Sequence, residues 1–116
     1  MDKIYKSGTN KGNRRIWIEG KVLLDMGWTR GTRLQRRFVL GIKSGAFCDR
    51  KSIVLQPDDD GGHRVAGTET RPIIDLNGKY LNELFGDYTH FTAFFCQAGG
   101  YEKEHIVITP CTEAAQ

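Results

Sequence analysis

Two stretches of this chain carry the same pattern 58 positions apart: Ile16-Trp17-Ile18-Glu19-Gly20-Lys21-Val22-Leu23 and Ile74-Asp75-Leu76-Asn77-Gly78-Lys79-Tyr80-Leu81. Each opens with alternating apolar residues, turns at Gly-Lys and continues with a second apolar spacing. They also close alike. Ile53-Val54-Leu55-Gln56-Pro57 and Ile106-Val107-Ile108-Thr109-Pro110 stand 53 positions apart, so the second copy has a middle shorter by five residues. A single unit of ~45 residues has too little core to stand alone. At 116 residues the pair makes one domain, long enough to bury roughly two-thirds of its unfolded surface without covalent staples.

Within a unit the pattern reads strand, short helix, two strands. Residues 15–18 alternate as a strand. Residues 20–26 set Val22, Leu23 and Met26 at helical spacing, and Gly27 is placed to end the helix as a left-handed cap. Residues 32–40 put Leu34, Phe38 and Leu40 on one face and Arg33, Gln35 and Arg37 on the other. Residues 41–45 turn the chain, and 47–56 return as a strand until Pro57 stops it. In the second unit, 72–76, 89–96 and 105–109 read as strands, 78–85 as a helix ending at Gly86, and 98–100 as a turn. The expected fold is a β-rich α+β domain of two fused strand-helix-strand-strand repeats forming a pseudo-twofold barrel. Residues 1–13 are expected to be a flexible basic arm, 14–57 the first repeat, 58–70 a linker, 71–110 the second repeat and 111–116 a frayed tail. In the linker Asp58, Asp59 and Asp60 stay solvated while glycine supplies positive φ; whether 65–70 adds a strand is left open.

Charge is divided unevenly. Residues 1–57 hold thirteen Lys/Arg against four acids, net +9, whereas residues 58–116 hold four against ten, net −6. The overall +3 excludes an acidic mimic of DNA, and the basic half points to nucleic-acid contact or to attraction between the halves. The longest apolar runs are three or four residues, far short of the ~18 a membrane span requires. The first residues show no apolar stretch of signal-peptide length, so a cytoplasmic protein is expected. Cys48, Cys96 and Cys111 are odd in number without C-x-x-C spacing, and His63, His90 and His105 are scattered. Neither a disulfide framework, a metal site nor any cofactor is expected. Without a Ser/His/Asp, Cys/His or phosphate-cradling motif, no enzymatic activity is expected either.

The candidate binding residues are Arg14, Arg15, Trp28, Arg30, Arg33, Arg36, Arg37 and Lys43. Arginine neutralises phosphates and pairs bidentately with guanine, while lysine supplies a less directional charge. Trp28, in a loop beside Arg30, is read either as a base-stacking platform or as core; Trp17 is read as core. Tyr88, Phe91, Phe94, Phe95 and Tyr101 are expected mostly in the core of the second unit.

The string RIWIEGKVLLDMGWTRGTRL at residues 15–34 resembles the core motif of AbrB/SpoVT-like proteins of the SymE type. In that motif an apolar strand, a Gly turn, a Leu-rich helical turn and Gly-aromatic-Thr-x-Gly-Thr lead into a strand, the last part matched by Gly27-Trp28-Thr29-Arg30-Gly31-Thr32. Two such units, the second opening at Arg71-Pro72-Ile73-Ile74-Asp75-Leu76-Asn77, look like the region preceding the catalytic domain of some phage and bacterial cytosine-5 DNA methyltransferases. The similarity covers about residues 14–110. The chain departs from those enzymes in having no Gly-rich cofactor loop and no Pro-Cys-Gln segment, because Thr112 follows Pro110-Cys111. What the resemblance implies is therefore a swapped-hairpin binding module, phage- or mobile-element-encoded, monomeric or homodimeric, that contacts DNA or RNA as a regulator or targeting domain. The alternative is a protein that grips and inhibits a bacterial defence complex; no membrane partner is expected.

Overall fold

A computed structural model of the chain describes residues 2–43, 46–97 and 103–111. In chain order the elements are β1 (Asp2–Lys6), β2 (Gly8–Asn10), β3 (Asn13–Glu19), α1 (Lys21–Asp25), β4 (Arg33–Lys43) and β5 (Ala46–Pro57). They continue as β6 (His63–Arg64), β7 (Ala66–Gly67), β8 (Pro72–Asn77), α2 (Lys79–Phe85), β9 (His90–Cys96) and β10 (His105–Cys111). Among the described residues the fold is β-rich with two short helices, and every strand pairing is antiparallel. One sheet runs β1-β9-β10-β5-β4-β6 and the other β2-β3-β8-β7. No helix among the described residues is long and apolar enough to cross a membrane.

Alternation along each strand decides which side chains meet in the middle. Ile16 and Ile18 of β3, Ile74 and Leu76 of β8, Ile53 and Leu55 of β5, and Ile106 and Ile108 of β10 are all buried in one core. The pairing keeps these faces in step. Ile16 lies opposite Leu76 and Ile18 opposite Ile74, while Ile53 lies opposite Ile108 and Leu55 opposite Ile106. Because Ile16 and Ile18 take the core face of β3, Trp17 between them points outward and is 38% exposed, against the expectation that it fills the core. Phe91 and Phe95 are buried as expected, Phe94 is exposed, and Tyr88 is half-buried against the core. Tyr101 lies outside the described residues.

Trp28 goes the other way. Helix α1 closes with the Trp28 N–H donating to the Leu23 carbonyl at 2.9 Å and the Gly27 N–H to that of Leu24 at 2.9 Å. Gly27 has φ +76°, the left-handed conformation that glycine adopts without a Cβ penalty. This double closure carries the following residue back over the helix, where an apolar contact customarily completes it. Trp28 is accordingly 1% exposed.

The expected flexible arm is instead two strands. β1 pairs with β9 from Asp2 opposite Phe94 to Lys6 opposite His90, and β2 pairs with β3. Tyr5 anchors the first of these by stacking on Phe91, ring centroids 5.2 Å apart. The expected linker likewise contains β6 and β7, paired with β4 and β8. Gly61 serves it by close approach, not by positive φ: a Cβ there would run into the Leu34 carbonyl. Cys111, expected in a frayed tail, is the last residue of β10, opposite His90, and is buried. Residues 112–116 and the turn expected at 98–100 lie outside the described residues. At the turn expected over 41–45, β4 runs on to Lys43 and β5 begins at Ala46.

Candidate nucleic-acid interface

Two main-chain hydrogen bonds orient β4. The Asp58 N–H donates to the Arg33 carbonyl at 3.0 Å on the β5 side, and the Val65 N–H donates to the Thr32 carbonyl at 2.9 Å on the β6 side. Side chains alternate in the same way. Leu34 turns into the core, while Arg33, Gln35 and Arg37 stand together on the outer face, all exposed. Across from Arg33, in register, stands Arg64 of β6. Facing residues of an antiparallel pair present their side chains on one face, and like charges so placed repel. The Gly31 N–H donates to the Val65 carbonyl at 2.8 Å, which draws the loop carrying Arg30 alongside the residue that follows Arg64.

Little neutralises this group. The Arg33 Nη1 donates to the Gly61 carbonyl at 3.2 Å and the Arg37 Nη2 to the Gln56 Oε1 at 3.2 Å. Both partners are uncharged, and each guanidinium has five donors, most of which have no partner among the described residues. Among the described residues neither Arg30, Arg33, Arg37 nor Arg64 makes an ion pair. The Asp58 carboxylate beside them accepts the Asp60 N–H at 2.8 Å and closes its own turn. Exposed arginines on one face of a sheet can hold several phosphate oxygens at once, through charge and through directed N–H donors.

The other candidates are placed elsewhere. Arg14 shares the inward side of β3, donates to the Ser7 hydroxyl at 3.0 Å and lies 5.7 Å from the Phe85 ring centre. Arg15 grips Asp75 of β8 with two hydrogen bonds of 2.8 Å while lying 4.5 Å over the Trp17 ring. The hydrogen bonds from Arg15 hold the Asp75 carboxyl below the usual carboxylate range, against the opposing effect of its partial burial. Arg36 turns to the opposite face from Arg33 and Arg37, donating to the Tyr80 hydroxyl at 3.1 Å. Lys43 belongs to β4, but its side chain is not among those described. Buried Trp28 is no stacking platform, because the closure of α1 has drawn it into the core.

Arg64 joins the outer face although little in the sequence announces it. Its one sign was alternation in a stretch taken for linker: half-buried His63, exposed Arg64, buried Val65. His63 faces Leu34 across β6 and β4, and its buried Nε2 has no hydrogen-bond partner among the described residues. Burial, aided by the positive charge of Arg36, holds its imidazole below the ordinary histidine value, with Asp75 pulling weakly the other way. Compared with known proteins, the chain matches no family model, no curated protein and no solved structure.

Proposed function

We propose that this chain is a non-enzymatic nucleic-acid-binding module of the AbrB/SymE-like type, built by tandem duplication, with Arg30, Arg33, Arg37 and Arg64 on the phosphate backbone. One observation carries the binding reading: Arg33 and Arg64 face each other in register, and neither makes an ion pair among the described residues. A fold gains nothing from such a pair, whereas a polyanion laid across it relieves the repulsion and gains two contacts.

The duplication is supported by register. Gly8 opposite Arg15 becomes Ala66 opposite Ile73 when both residues are advanced by 58. Tyr5 opposite Phe91 becomes His63 opposite Leu34, with 58 separating the first residues and 57 the second. Phe38 opposite Ile53 becomes Phe95 opposite Ile106, at 57 and 53. Exchanging β1–β5 for β6–β10 turns each sheet order into its own reverse. On this reading the unit is longer than the sequence suggests, running strand-strand-strand-helix-strand-strand. Residues 1–13 and 58–70 become equivalent openings of the two copies.

Fluorescence anisotropy with labelled duplex DNA and with structured RNA tests the function. Four phosphate contacts on duplex predict a log–log salt slope near −3.6, so affinity falls roughly 150-fold between 50 and 200 mM salt. Reversing Arg33 and Arg37 together to Glu abolishes binding while the melting transition persists. If neither nucleic acid binds at low salt, the proposal fails.

A further inference from the structure

The two outer strands of the long sheet are covered unequally. β1 covers five residues of β9, from His90 to Phe94, whereas β6 covers only Arg33 and Leu34 of β4. Beyond Leu34, β4 has no strand on that side among the described residues. Since Thr32 directs its carbonyl toward the β6 side, Arg36 and Phe38 direct their main-chain N–H and C=O groups the same way. The result is an unpaired stretch of sheet edge over residues 35–39, closed at its far end by an irregularity in the β4–β5 register between Leu40 and Ile42. Such an edge is a template for another strand.

The same stretch walls an apolar groove. Phe38 is 54% exposed and meets Tyr80 of α2 edge-on, ring centroids 5.8 Å apart. Phe38, Val39, Lys51, Tyr80, Glu83 and Leu84 line a cavity of about 340 Å³. Arg36 shares the face of Phe38, and with Lys51 it outnumbers the one carboxylate, Glu83. Charge decides between occupants. A second copy pairing edge to edge would bring Arg36 beside its own duplicate. A nucleic acid offers no alternating main-chain donors and acceptors to match the edge.

We infer that residues 35–39 of β4 form a docking edge for an extended acidic segment of another protein, which adds as a strand and seats one apolar side chain between Phe38, Tyr80 and Leu84. In this mode main-chain hydrogen bonds supply affinity, and the pocket for an alternate side chain supplies selectivity. The site is separate from the outer-face arginines and does not rest on their binding nucleic acid.

The test uses the intact protein and a fluorescent array of short peptides in which Asp or Glu alternates with Leu, Ile, Val or Phe. Acidic alternating members should bind, while scrambled and basic ones should not. The tightest binder is then N-methylated in two versions, one on its odd and one on its even residues. Only one version should bind like the parent, and the other should lose at least about tenfold, because alternate residues face the edge. Phe38→Ser, at an exposed position, should weaken the parent peptide comparably. Failure of every peptide to bind overturns the inference, as does equal tolerance of both methylation patterns. Displacement of the peptide by a single-stranded oligonucleotide, with both methylated versions bound alike, would assign the edge to nucleic acid and overturn it equally.

Discussion

Replacing Arg64 with Gln separates what the fold needs from what binding needs. Arg64 and Arg33 are exposed and directly opposed, with no ion pair to either among the described residues. At a separation of about 5 Å in water, two like charges repel by roughly 0.8 kcal/mol. Freedom of two long exposed side chains lowers the effective value, so removal of one charge should stabilise the fold by about 0.5 kcal/mol, within the range of cross-strand pairs. For 116 residues the entropy of unfolding is near 0.24 kcal/mol per kelvin, so the melting temperature rises by about 2 °C. Thermal melts followed by circular dichroism at about 20 mM and 1 M salt should show the gain at low salt and its disappearance at high salt, where screening acts over ~3 Å. Anisotropy on the same protein should show weaker duplex binding and a salt slope smaller by about 0.9. A lowered melting temperature together with an unchanged slope would refute the reasoning, because Arg64 would then be a structural residue that touches no phosphate.

Trp28→Ala should cost about 3–5 kcal/mol in a denaturant titration, the cost of emptying a fully buried aromatic site; a loss under ~1 kcal/mol would mean that Trp28 is not core. The lowered His63 value sets a pH dependence. Unfolded His63 takes up its proton near pH 6.5 and folded His63 only at lower pH. Stability is therefore full above that value and declines as pH falls toward the folded one. His63→Leu should flatten that decline in urea titrations between about pH 7 and pH 5, and an unaltered slope would count against the burial of Nε2.

Strong alternation made β3, β4, β5, β8, β9 and β10 legible in sequence, and the Gly-Lys turns made both helices legible. β1 was missed because Lys3-Ile4-Tyr5-Lys6 lies at a sheet edge, where Ile4 stays 46% exposed and only Tyr5 packs inward. The two tryptophans show where residue type alone does not decide burial. Trp17 was placed by its size, yet a strand cannot turn three successive residues inward. Trp28 in its loop reads either as stacking platform or as core, and the hydrogen-bonded closure of α1 decides for core. The outer face bearing Arg33 and Arg37 followed from period-two spacing. Arg64 completes that face through a partner strand only two residues long, too short to announce itself. Arg14 is the converse, since alternation with Ile16 and Ile18 already placed it inward and its charge argued otherwise.

The pairing of β1 with β9 bears on how the protein is made on the ribosome. Asp2–Lys6 leaves the exit tunnel long before the residues that zip to it, which lie some ninety positions downstream. β10, emerging later still, sits between β9 and β5 and joins the two hairpins. The nascent chain thus holds β1 without its partner until β9 is made, roughly four to seventeen seconds at typical elongation rates, and one edge of β5 open until β10 follows. Contacts so distant in sequence also slow the final closure. A stall or early stop anywhere before residue 105 leaves the inner edge of β5 open, and with it the apolar side chains of Ile53 and Leu55 that β10 would otherwise help to cover.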